Sequence, residues 1–169
     1  MSHINGYVIV IFFALVYIGV KRCFPRTINP NQLFLFPALL VLNGLHNVPA
    51  LLPQAGAADF ALMALAGLAG AALGWAQARR WVLQFNADAS SVRMPGDPGL
   101  LVAILATFVF QFGLHYAIAA HLPLASSAAF VPLALIIWGA LAGMPLGRAV
   151  NVWVRRGQAV ADAGSMQTL

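Results

Sequence analysis

The chain has 169 residues, of which 62% are hydrophobic and 8% are charged, and its formal net charge is +5. A water-soluble domain of this size needs more polar surface than such a composition supplies, so the composition excludes one and predicts an integral membrane protein. The positive charge does not indicate nucleic-acid binding, because basic cytoplasmic segments beside anionic lipids produce the same excess.

Five apolar stretches predict five transmembrane helices, since a spanning helix needs about 20 apolar residues. They lie at residues 5–20, 33–53, 58–78, 99–120 and 128–147. The nine basic residues follow only the first, third and fifth stretches: Lys21, Arg22, Arg26, Arg79, Arg80, Arg93, Arg148, Arg155 and Arg156. The positive-inside rule therefore predicts an N-terminus outside and a C-terminus in the cytoplasm.

The predicted fold class is an all-α, multi-pass membrane protein. A single helical bundle would cover residues 1–157 and include a cytoplasmic loop at 79–98. A cytoplasmic tail would follow at residues 158–169.

Several helix ends carry local signals. Pro49 cannot donate a hydrogen bond to the carbonyl of Leu45, so we expect a kink in the second helix. Asp59 is placed to cap the third helix, and Asp97, which precedes a proline, predicts the start of the fourth. The polar segment at 85–98 is compatible with a small β-hairpin or with a simple loop.

Glycines recur at intervals of three or four residues in the third and fifth stretches. Small residues at this spacing let helices approach closely, which predicts helix packing or dimerisation rather than ligand binding. These glycines are Gly67, Gly70, Gly74, Gly139, Gly143 and Gly147.

The second and third stretches resemble the fourth and fifth. The tripeptide Gly-Leu-His ends at His46 in the second stretch and at His115 in the fourth, and the glycines of the third stretch match those of the fifth. This similarity predicts a duplicated helix pair. Both copies would cross the membrane in the same sense, related by a pseudo-twofold axis along the membrane normal, with His46 and His115 in equivalent places.

Each of these histidines belongs to a polar stripe on one helix face. Because polar groups facing lipid are costly, we expect both stripes to face the interior of the bundle or a water-filled cavity. One hypothesis is that the stripes hydrogen-bond to each other and fix the helix packing. The stripes consist of Asn43, His46 and Asn47, and of Thr107, Gln111 and His115.

A second hypothesis is a cofactor site. His46 and His115 on facing helices could ligate haem b or a transition metal, with His121 and Asp59 as further metal ligands near the outer surface. A glycine two residues before each histidine would leave room for a haem ring. A proton relay or a quinone pocket is another use of the same residues. No catalytic residues are predicted, because the chain lacks glutamate and recognised catalytic motifs.

The layout resembles the CcdC-like group of small bacterial inner-membrane proteins. The similar parts are the first helix ending in Lys21-Arg22, the turn at 25–27, the second helix with Pro37, and the segment from Asp88 to Gly96. The resemblance implies a bacterial inner-membrane protein of four or five helices with a loose connection to cytochrome c maturation. It supplies no site residues.

The sequence thus favours a non-enzymatic accessory or scaffolding subunit of a membrane complex. Its expected partners are the lipid bilayer and either other membrane-protein subunits or a second copy of the chain. One alternative is a haem- or metal-binding membrane protein. Another is a small-solute transporter or an immunity-type protein acting as an oligomer.

Overall fold

The structure is a computed structural model, and it describes residues 13, 16–17, 19–21, 23–86 and 90–166. The side chains at positions 26, 36, 43, 45, 47 and 162–166 lie outside this description. Most of the predicted first helix, at 5–20, also lies outside the described residues.

Helices dominate the described chain. They are α1 (Leu35–Leu51), α2 (Ala57–Ala78), α3 (Pro98–Ala119) and α4 (Phe130–Met166). Short 3-10 turns at Pro30–Phe34 and Pro123–Ser126 precede α1 and α4. Three of these helices, α2, α3 and α4, are long and apolar enough to cross a membrane. The helical class predicted from composition is therefore confirmed, and a membrane location agrees with it.

The starts of α2 and α3 depend on aspartates in different ways. Asp97 caps α3 as predicted: its Oδ1 accepts a hydrogen bond from the Leu100 N–H at 3.2 Å. The helix α2 begins earlier than predicted, after Gly56. Asp59 therefore lies within the first turn, where its Oδ2 accepts from the Gly56 N–H at 2.9 Å and its charge suits the positive end of the helix dipole.

The last helix, α4, is longer than predicted. It has 37 residues and continues to Met166, whereas the sequence indicated an end at residue 147 and a separate tail from residue 158. The change from apolar to polar residues near position 147 does not by itself end a helix. No proline follows Pro145 to interrupt the helix after that point. Interior partners for Arg148 and Arg155, described below, further support the helical extension.

A small antiparallel sheet joins three connecting segments. Its strands are β1 (Arg26–Ile28), β2 (Gln84–Phe85) and β3 (Val92–Met94), in the order β1-β3-β2. The pairing of β2 with β3 forms the hairpin that the sequence allowed, with residues 87–89 outside the described part. The strand β1 pairs with β3 along its length and is an element the sequence did not predict.

Two apolar clusters occupy opposite ends of the helices. At the sheet end, buried Val92 and Met94 of β3 pack with buried Val152 of α4. At the opposite end, called the turn end because it holds the 3-10 turn Pro123–Ser126, residues of three helices meet around fully buried Leu135. The other buried members there are Val48, Leu52, Leu114, Ala117, Phe130, Val131 and Ala134.

Candidate functional site

The glycines singled out in the sequence lie where α2 and α4 touch. A Cβ atom at Gly143 would overlap the carbonyl oxygen of Gly67, and one at Gly147 would overlap that of Ala71. The same holds in the other direction, because a Cβ at Gly74 would overlap the carbonyl oxygen of Met144. The two backbones are thus in direct contact, as in close-packed membrane helix pairs. We call this contact the glycine seam.

The two helices of the glycine seam are parallel. Its contacts pair Met63 with Gly139, Gly70 with Ala140 and Gly74 with Met144, so residue numbers rise together along both helices. In a chain that crosses a membrane, parallel helices need a returning segment between them, and α3 lies between them in sequence.

A buried arginine lies at the sheet end of the seam. Arg148 of α4 is 4% exposed, and its Nη1 donates to Asp97 Oδ2 at 3.0 Å. Its Nε donates to Gln77 Oε1 at 3.1 Å, and its Nη2 donates to the same oxygen. One guanidinium therefore joins α4 to the end of α2 and to the start of α3. A buried charge is tolerated only when it is paired and hydrogen-bonded in this way.

Sequence reasoning missed this network. Arg148 was counted only among the basic residues that set the topology, and Asp97 already had a role as a helix cap. The available signal was that Gln77, Asp97 and Arg148 all lie at helix ends predicted on the same side of the membrane.

The histidines His46 and His115 are both exposed, on α1 and α3 respectively. His115 Nδ1 lies 2.9 Å from the carbonyl oxygen of Gln111, one turn earlier in its own helix. Because a carbonyl oxygen only accepts, Nδ1 carries the hydrogen in this contact, and Nε2 points away from it.

The two Gly-Leu-His tripeptides have different surroundings. A Cβ at Gly44 would overlap the indole Nε1 of buried Trp138 on α4, so the indole already fills the space that a haem ring would need there. A Cβ at Gly113 would meet nothing within 4 Å. In this respect the predicted copies are not equivalent.

The remaining polar candidates make bonds within their own helix or lie outside the description. Thr107 Oγ1 donates to the carbonyl of Ala103 at 2.7 Å, and Gln111 is half-buried. The side chains of Asn43 and Asn47 lie outside the described residues. The hydrogen bond of Thr107 thus stabilises its own turn of α3 rather than a bridge to α1.

His121 has a backbone role at the end of α3. Its φ is 49°, a left-handed value, and it is exposed. The Leu122 N–H donates to the carbonyl of Ala117 at 3.1 Å, and the His121 N–H donates to that of Ile118 at 3.2 Å. These two bonds define a Schellman motif with His121 at the position that usually holds glycine.

No metal centre is assembled among the described residues, which contain no group of three or more His, Cys, Asp or Glu side chains placed to hold an ion. The prediction that His121 and Asp59 add metal ligands to the histidines therefore gains no support from the geometry. A two-histidine haem site is a separate hypothesis that this observation does not address.

Comparison of the chain with protein-family models, with curated proteins and with solved structures finds no match. The structure itself defines a predominantly helical protein with three helices able to span a membrane and a small sheet at one end.

Proposed function

We propose that this chain is a five-span inner-membrane protein of a bacterium, with its N-terminus outside and its C-terminus in the cytoplasm, that serves as an accessory or scaffolding subunit. The topology is supported by the parallel α2 and α4, since spans separated by one returning span run in the same direction. It is also supported by the basic residues, all of which fall on one predicted side. The CcdC-like resemblance agrees with this location.

The scaffolding role rests on one observation: His46 and His115 are exposed on helix faces that also carry exposed apolar residues. On α1, His46 follows exposed Leu39 and Leu42 at intervals that place all three on one face. On α3, His115 lies beside exposed Phe112 and Tyr116. Inside a membrane, lipid cannot hydrogen-bond an exposed imidazole, so such a group requires a protein partner. Another membrane subunit or a second copy of the chain would supply it.

Photo-crosslinking in native membranes tests this proposal. Benzoylphenylalanine is introduced at position 46 or 115, and at position 68 as a control, because Leu68 is an apolar residue of α2 with 68% exposure. We expect protein adducts at positions 46 and 115 and lipid adducts at 68. An adduct of twice the chain mass indicates a second copy, and another mass indicates a different subunit.

Lipid adducts at all three positions would contradict the proposal. Reporter fusions at the C-terminus test the topology separately. A reporter enzyme that is active only in the periplasm should be inactive when fused there. Activity of this fusion would overturn the predicted orientation without affecting the crosslinking result.

Haem ligation is a second candidate, favoured by the ring orientation of His115. Its Nδ1 contact with the Gln111 carbonyl leaves Nε2 available, which is the arrangement that metal-bound histidines use. Protein purified from haem-supplied cells should then show a Soret band that shifts on reduction and is lost in His115→Ala. A featureless spectrum would exclude this candidate.

A further inference from the structure

An open groove with two arginines lies between the end of α2 and the extension of α4. It encloses about 840 Å³ of open space. We call it the arginine groove; its lining residues are Trp75, Arg79, Asn151, Val154, Arg155 and Gln158. None of these six lining residues is acidic, so the two guanidinium groups give the groove a positive potential.

Arg155 is held in a defined position within the groove. Its Nη1 donates to the carbonyl of Trp81 at 2.9 Å and to that of Ala78 at 3.4 Å, just after α2 ends. A guanidinium carries five N–H donors, so Arg155 can keep these bonds and still donate from Nε and Nη2. Arg79, by contrast, is exposed and adjustable. One oriented and one adjustable guanidinium group together can donate hydrogen bonds to the oxygens of a phosphate group.

Asn151, one of the lining residues, carries a buried acceptor atom without a donor in the described part of the chain. Asn151 is 2% exposed, and its Oδ1 has no hydrogen-bond partner among the described residues. A buried polar atom without a partner is rare in folded proteins and costly. A hydroxyl group on a ligand would satisfy it once the amide turns toward the groove, whereas a phosphate oxygen would not.

The position of the groove points to lipid rather than to a soluble ligand. Half-buried Trp75 lies one turn before Arg79, at the end of the apolar span of α2. Tryptophan followed by arginine is typical of the level at which a helix leaves the hydrocarbon and meets the headgroups.

We propose that the arginine groove binds the headgroup of an anionic glycerophospholipid, with the phosphodiester between Arg79 and Arg155 and a headgroup hydroxyl donating to Asn151. Phosphatidylglycerol has this chemistry. Phosphatidylmethanol has the same charge but lacks the hydroxyl and is the matched comparison. The proposal requires that α2 and α4 cross a membrane, and it does not depend on the scaffolding role.

Native mass spectrometry of the detergent-purified protein, titrated with each lipid, measures the affinity directly. We expect Arg79→Gln to weaken phosphatidylglycerol binding about tenfold, because a charge-assisted contact is lost. The control is Arg80→Gln: Arg80 is the neighbouring exposed arginine but does not line the groove. It should lose no more than about threefold, through the general surface potential. Equal losses in the two variants would overturn the proposal.

Lipid selectivity tests the Asn151 contact. The unmodified protein should prefer phosphatidylglycerol to phosphatidylmethanol, and Asn151→Leu should remove this preference while still binding phosphatidylmethanol. Retained phosphatidylmethanol binding also shows that the variant is folded. Equal binding of the two lipids by the unmodified protein would overturn the role of the hydroxyl.

Competition by a water-soluble headgroup analogue distinguishes a lipid ligand from a free phosphodiester. Glycerophosphoglycerol, which has the headgroup without the acyl chains, should not displace bound lipid at equal concentration. Displacement at equal concentration would overturn the lipid assignment and leave a soluble phosphodiester as the ligand.

Discussion

The glycine seam and the histidine faces are opposite kinds of helix surface. In the seam, α2 and α4 meet backbone to backbone, and each glycine has a partner atom within the chain. On α1 and α3, the exposed His46 and His115 lie on faces that also carry exposed apolar residues such as Leu42 and Phe112. In the proposed role, the seam is completed within the chain, whereas the exposed faces of α1 and α3 are covered by another molecule. Stability should therefore depend on the seam, and association on the faces.

The largest effect should come from Gly143→Leu, which breaks the seam. The new side chain would overlap the Gly67 carbonyl, and backbone cannot move aside as a flexible side chain can. We expect a loss of about 4 kcal/mol or more in the free energy of unfolding, measured by denaturant titration in detergent. Gly113→Leu is the control on a histidine face, where a Cβ meets nothing within 4 Å. Equal losses in the two variants would remove the distinction between the surfaces.

Next in size is Arg148→Met, which breaks the connection of the seam to α3. Removing the guanidinium leaves Asp97 half-buried without its ion-pair partner and Gln77 without its donor. The expected loss is about 3 kcal/mol, measured in the same titration.

A second substitution identifies the cause of that loss. Adding Asp97→Asn removes the uncompensated charge and keeps an N-cap residue, so the double variant should recover most of the lost stability. If the double variant is less stable than Arg148→Met alone, the ion pair is not the source of the effect.

The smallest predicted change in stability concerns His121 at the turn end. Glycine is relaxed at the left-handed φ of 49°, so His121→Gly should stabilise the protein by about 1 kcal/mol. Thermal unfolding should show a higher midpoint for His121→Gly and a lower one for His121→Val, since a β-branched residue is strained there. A decrease in both variants would mean that the imidazole itself makes a necessary contact.

Short-range signals in the sequence predicted the helical part of the fold well. Apolar length indicated the spans that α2 and α3 occupy, and Asp97 followed by proline predicted the start of α3, because caps act within a few residues. The glycines with helical spacing lie on the seam, since only a residue without a side chain permits such an approach.

The sequence patterns did not predict contacts between residues that are distant along the chain. The strand β1 depends on pairing with β3, whose residues are more than 60 positions away, and three residues of mixed character carry no strand signal alone. The positive-inside rule already accounted for Arg148, so no buried partners were predicted for it. Helical periodicity grouped the polar residues of α1 and α3 on faces that we expected to point inward or into a water-filled cavity, whereas His46 and His115 are exposed.

The length of α4 has a consequence outside the membrane. At about 1.5 Å per residue, its 37 residues extend roughly 55 Å, whereas a bilayer has a hydrocarbon core of about 30 Å. Its neighbour α2, with 22 residues, is roughly 33 Å long, which is about the thickness of the hydrocarbon core. If α4 crosses the membrane, it would therefore extend about 25 Å beyond the hydrocarbon core on the side of the sheet. Such an extension would carry tilt or rotation at its tip toward the seam, with Pro145 as the point at which it bends most readily.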